Sequence, residues 1–134
     1  MTFETNKDVL DWYEKQPRTL TKEFIGNIAW EDVKKYPLDK KFVPVLLYMR
    51  DVETLTDMYY AELRRTPTGK DPIINKFMER WSVEEQTHGE LLNRFLNEAG
   101  IETSDKWQCQ VRTAVSTFYK VQHLSDTALT NAAL

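Results

Sequence analysis

Apolar side chains recur at spacings of three and four along most of this chain, which is the period of a helix packed on one side. The clearest stretch is 72–99, where Ile74, Phe77, Trp81, Leu92 and Phe95 fall on one stripe. Asp71 suits the N-cap of that helix, Pro72 its first position, and Gly100 the residue just past its end. A second long helix is predicted from about Asp39 to Arg65, with Leu46, Met49, Glu53, Tyr60 and Leu63 on one face. Pro44 falls in its first turns, where it is tolerated or kinks the axis mildly. The segment TPTGKDP (66–72) breaks the pattern. So short a turn makes the two long helices antiparallel neighbours.

Shorter elements flank this hairpin. Residues 6–16 predict a short helix after Asn6, stopped by Pro17. A second runs from Thr21 to about Trp30, with Thr21 as N-cap and Glu23 suiting the helix dipole. Phe24 stands where a capping box would need Glu or Gln. Residues 31–38 read as irregular. A third long helix starts at about Asp105, capped by Ser104 or Asp105, with Trp107, Val111, Val115, Phe118 and Leu124 at core-like spacing. The sequence then stays apolar through Ala128, Leu129, Ala132, Ala133 and Leu134, whereas chain ends are usually polar and frayed. That predicts an incomplete bundle, or an end buried against another chain.

At 134 residues with only 4 glycines, this reads as a single all-α domain, with short N-terminal helices over 1–38 and core helices over 39–134. The balance of 18 basic and 21 acidic residues lacks the basic excess of a nucleic-acid binder. Cys109 is alone, so no disulfide forms within the chain. The N-terminus MTFETNKD has no apolar core and does not read as a signal peptide. The longest apolar run, Phe42 to Met49, is far shorter than the roughly 20 residues of a membrane helix. Together these predict a soluble, cytoplasmic protein with no membrane partner.

Two polar residues interrupt the 72–99 stripe. Glu85 and His88 occupy stripe positions, and burying them costs several kcal/mol unless they are paired. Three residues apart, their Cβ atoms lie roughly 5–6 Å from one another, so both can reach one metal ion. Carboxylate with imidazole suits iron or manganese better than soft copper. A hydrogen-bonded core histidine is the other reading of the same pair. Gly89 beside His88 costs about 1 kcal/mol of helix propensity and leaves room for a close neighbour. Glu53 is the polar intruder on the preceding helix. It lies 16 residues before Gly69, and Glu85 lies 16 after it. Each is then about 20–24 Å from the turn at the helical rise, so the two sit at one level. Glu62 falls opposite residue 76, near the turn. Tyr60 fits core packing or a redox or hydrogen-bonding role. His123 has Lys120 three residues before it and is not counted as a ligand.

The run Trp81, Glu84, Glu85, His88, Gly89, Glu90, Leu91, Leu92, Asn93 resembles the soluble acyl-[acyl-carrier-protein] desaturases of the ferritin-like di-iron superfamily. Residues 43–63 resemble that family's first ligand helix, with Glu53 at its metal-bound Glu. Similarity alone leaves Asp57 and Glu62 open there. The resemblance covers about residues 35–105. It implies a ferritin-like bundle holding two irons, with Glu53, Glu85 and His88 as ligands and Glu85 bridging. It also implies an acyl carrier protein bearing the acyl chain and a ferredoxin-type electron donor, and a homodimer is the expected assembly. The family's second Glu and second Glu-x-x-His are missing from this chain, which therefore resembles the N-terminal half. Three functional readings stand: half of a desaturase-like oxidoreductase, a non-catalytic helical module, or a homodimeric ferritin-like iron-binding protein whose site two chains share.

Overall fold

The computed structural model describes residues 2–18 and 20–118. The described residues form helices and no strand, as the spacing predicts. The first helix, α1 (Asn6–Lys15), falls within the predicted residues 6–16. Thr5 is its N-cap, because Asp8 at the third position closes a capping box with Thr5. The Thr5 hydroxyl accepts from the Asp8 N–H at 3.3 Å, and the Asp8 carboxylate accepts from the Thr5 N–H at 2.8 Å. Thr21 caps α2 (Lys22–Gly26) as expected, but α2 ends well before Trp30. Trp30 instead buries its ring and donates its indole N–H to the Ile25 carbonyl at 3.0 Å, folding the chain back. A single turn, α3 (Asp32–Lys35), follows where irregular chain was expected.

The 39–65 helix proves to be two. A short 3-10 turn over Lys40–Phe42 leads into α4 (Val43–Thr54), with Pro44 in its first turn, and α5 (Thr56–Leu63) follows. The break falls at Leu55, whose N–H is shared between the Asp51 and Val52 carbonyls at 3.2 and 3.1 Å. Thr54 favours it locally. Its hydroxyl donates back to the Arg50 carbonyl at 2.7 Å, a bond that bends helices. The break turns Leu55 inward, where it is fully buried.

The longest helix, α6 (Pro72–Glu98), matches its predicted bounds. Asp71 accepts from the Ile73 and Ile74 N–H groups at 2.8 and 3.2 Å. At the other end Gly100 takes a left-handed φ of 76°, and the Gly100 and Ile101 N–H groups bond the Asn97 and Leu96 carbonyls at 3.0 and 2.9 Å. That is the Schellman stop.

The packed faces are rotated by about one residue from the predicted stripes. On α6 the buried line is Met78, Ser82, Gly89 and Leu96, while Phe77 stays partly exposed. On α4 the buried residue is Arg50, while Met49 of α4 and Leu63 of α5, expected inside, are 43% and 41% exposed. Arg50 is held there by Asn93 of α6 at 3.0 Å and by Asp51 at 2.8 Å. α4 comes close to α6 at Gly89. A Cβ there would lie 2.9 Å from the Thr54 hydroxyl oxygen and 3.1 Å from the Thr54 backbone nitrogen.

Contacts divide the chain after Thr103. In the second unit residues 106–118 form a helix, α7. Within it Trp107 and Phe118, expected in the core, remain substantially exposed. His123, Leu124, Ala128, Leu129, Ala132, Ala133 and Leu134 lie outside the described residues. Among the described residues, no helix is long and apolar enough to cross a membrane.

Alanine at position 89 gains about 1 kcal/mol of helix propensity, against a typical overpacking cost of about 1–3 kcal/mol. The Thr54 hydroxyl is tied to Arg50 and cannot yield freely. Gly89→Ala is therefore expected to lower the urea midpoint, with a net loss of about 1 kcal/mol, while Glu90→Ala at an exposed position on the same turn does not.

Candidate metal centre

Glu53 sits in the last turn of α4, one residue before Thr54. Glu85 lies mid-way along α6, and His88 lies nearly one turn further on. The antiparallel pair brings them together: one ligand atom from each of the three lies within 4.8 Å of the others. His88 Nδ1 is 3.0 Å from Glu85 Oε2, and Glu85 also shares a hydrogen bond with Glu53. The level match of Glu53 and Glu85 read from the hairpin is thus realised.

Their burial differs from the sequence expectation. All three residues are half-buried, and the side chains of Glu85 and His88 are 22% and 42% exposed. Helical geometry gives the reason. The line Met78–Ser82–Gly89–Leu96 faces α4, whereas Phe77, Arg80 and Glu84 face α1. At 3.6 residues per turn, Glu85 and His88 fall between those two lines, on a side that opens outward.

The site holds two carboxylates and one proton in close quarters. Burial pushes Glu53 up to about 7, and the hydrogen bond and negative charge of Glu85 push the same way. Burial also pushes Glu85 up. There, hydrogen bonds from Glu53, His88 and Trp81, with the His88 charge, outweigh it and hold Glu85 below the usual range. Near neutral pH the pair therefore tends to retain a proton on Glu53, hydrogen-bonded to an ionised Glu85. A divalent cation can take the place of that proton. The donor set of two carboxylates and an imidazole suits iron or manganese, and half-burial leaves a way in.

Neighbouring groups fix the ligands in place. Trp81, on the same stripe one turn before Glu85, adds a minor pull that lowers that carboxyl. Glu84 turns the other way: it accepts from Tyr13 of α1 and from Arg80 Nε at 3.0 Å, with Arg18 at 3.9 Å. Burial and the hydrogen bond to Glu84 push the Tyr13 hydroxyl up to about 12. Arg80 also donates to the Tyr13 and Gln16 carbonyls at 2.7 and 3.2 Å. These bonds seat α1 against α6 and frame a cavity of about 190 Å³ whose wall His88 reaches.

Other candidates lie elsewhere. Glu62 pairs with Arg65 at 3.0 Å, Asp57 is exposed, and the Tyr60 hydroxyl contacts Asn75 at 3.4 Å. Arg50 was missed. Its position three residues before Glu53 was the one available signal, since a base at that spacing shares the acid's face. Tyr13 carried no signal at all, because its partner is 71 residues away.

The metal-free site makes stability depend on pH. Glu53 ionises near its ordinary value of 4.5 when unfolded but at about 7 when folded. Between those values the folded state binds more protons, so stability falls as pH rises through the window. Glu85 has the opposite sign, and its share is lost only at lower pH. Chelator-treated protein is expected to show a falling urea midpoint from about pH 5 to pH 7.5. Glu53→Gln is expected to flatten that fall.

No protein-family model, curated protein or solved structure matches this chain.

Proposed function

We propose that this chain binds a redox-active divalent metal, iron in the first instance, through Glu53, Glu85 and His88, as part of a ferritin-like oxidoreductase centre. The observation that carries this reading is the convergence of the three ligand atoms within 4.8 Å from two antiparallel helices. A structural histidine accounts for one hydrogen bond to Glu85. It does not account for a second carboxylate brought against the first at an energetic cost. Bound iron would supply the one-electron chemistry with dioxygen that side chains lack.

The chain's own residues do the rest. Glu85 lies between Glu53 and His88, where a carboxylate can bridge. His88 adds a nitrogen donor. Arg50, tied to Asn93 and Asp51, keeps α4 in register with α6 below the site. Glu53 releases its proton when a cation enters, so uptake strengthens as pH rises through about 7.

The likeness of residues 81–93 to acyl-[acyl-carrier-protein] desaturases extends the proposal to a carrier-bound acyl chain as substrate and a ferredoxin-type donor of electrons. A carrier is acidic and needs a basic dock. Lys34, Lys35, Lys41 and Arg65 are already ion-paired with Glu98, Asp32, Asp39 and Glu62. A dock built on them must compete with those surface pairs, which are individually weak.

Anaerobic titration with Fe²⁺, followed by calorimetry and by metal analysis of the desalted protein, tests the reading. Glu85→Ala and His88→Ala are each expected to weaken uptake about tenfold or more. Glu84→Gln, which alters the neighbouring carboxylate on the α1 side, is expected to leave uptake within about twofold. Equal uptake by all four proteins would remove the metal from this site.

A further inference from the structure

We infer that the metal centre is completed by a second copy of this chain, docked on the open side of the α4–α6 pair and contributing its own Glu53, Glu85 and His88. The inference rests on the reading of these three residues as metal ligands and adds the partner.

The first argument is the count of donors. Iron and manganese in oxygen-rich sites favour about six ligand atoms. Among the described residues the group holds three side chains, and no further His, Cys, Asp or Glu joins it. Two copies facing each other across a two-fold axis present four carboxylates and two imidazoles. That is the donor set of dinuclear carboxylate centres in helical bundles. Four carboxylates also balance the charge of two divalent ions. Without metal nothing bridges the carboxyl groups of the two copies, so the pairing depends on metal.

The second argument is the surface around the site. Phe42, Val45 and Met49 are 51%, 54% and 43% exposed. At 3.6 residues per turn Val45 and Met49 lie on the same flank of α4 as Glu53, away from the line of Leu47, Arg50 and Thr54 that faces α6. Met49, one turn before Glu53, thus borders the ligands, and Val45 and Phe42 extend the apolar strip toward the start of α4. An isologous contact sets such a patch against itself, as a two-fold interface requires. The exposed His88 edge lets a second chain approach the ion that the first one holds.

Sedimentation velocity of the full chain with and without Mn²⁺, metal analysis of each species, and electron paramagnetic resonance of the bound ion form the test. The expected result is a monomer in chelator and a dimer with one Mn²⁺ per chain, its spectrum that of two coupled ions. Met49→Glu changes an exposed side chain, so its circular dichroism should match the parent. It is expected to stay monomeric with Mn²⁺ and to bind the ion at least about tenfold more weakly. A monomer that binds Mn²⁺ with full affinity would overturn the inference, because other residues of the same chain would then complete the sphere. A dimer that persists in chelator, or in His88→Ala, would overturn it too. If no Mn²⁺ binds at all, the metal reading fails along with it, whereas binding without pairing sinks the second copy alone.

Discussion

The close crossing of α4 and α6 at Gly89 is the constraint on which the site rests. A helix with a side chain at that point could not let Thr54 come so near. With the helices wider apart, Glu53 would sit beyond reach of Glu85. The crossing is then held from both sides. Leu55 and Leu96 are fully buried, and Arg50 reaches across to Asn93. At the break before Leu55, Thr54 bonds back to Arg50. The residue that touches Gly89 thus also ends α4, one position after Glu53.

That geometry places like charges together. Two carboxylates sharing a hydrogen bond are tolerated only with a proton or a cation between them. Glu53 is shifted up accordingly, first by burial and then by its neighbour. A packed apolar pair at these positions would avoid this cost. Departures of this kind from local packing rules concentrate at functional sites. Here the departure is surrounded by ordered supports rather than by slack. His88 bonds Glu85, and Tyr13 with Arg80 ties down Glu84 on the adjoining face.

Burial separates this site from a closed metal cage. The ligands lie between the α4-facing and α1-facing lines of α6, with His88 nearly half exposed. An amphipathic helix in a bundle contacts more than one neighbour, so its apolar stripe is wider than any one interface. The residues of the predicted stripe, Phe77, Trp81, Glu85, His88 and Leu92, make up the part of that width that α4 does not seal.

The local grammar of the chain was enough to determine the helical class, the bounds of α6 with its Asp71 and Gly100 ends, the cap at Thr21 and the shared level of Glu53 and Glu85. Each of these follows from spacing, capping chemistry or rise per residue, which act within one or two turns. Tertiary structure decided which line of each helix is sealed, that Arg50 rather than Met49 goes inside, and that Glu84 faces Tyr13 while Glu85 faces Glu53. Those choices depend on which side chain is small enough at a crossing and on which distant group meets a polar atom. A helical period confines a residue to a face, but what that face meets is set by other parts of the chain.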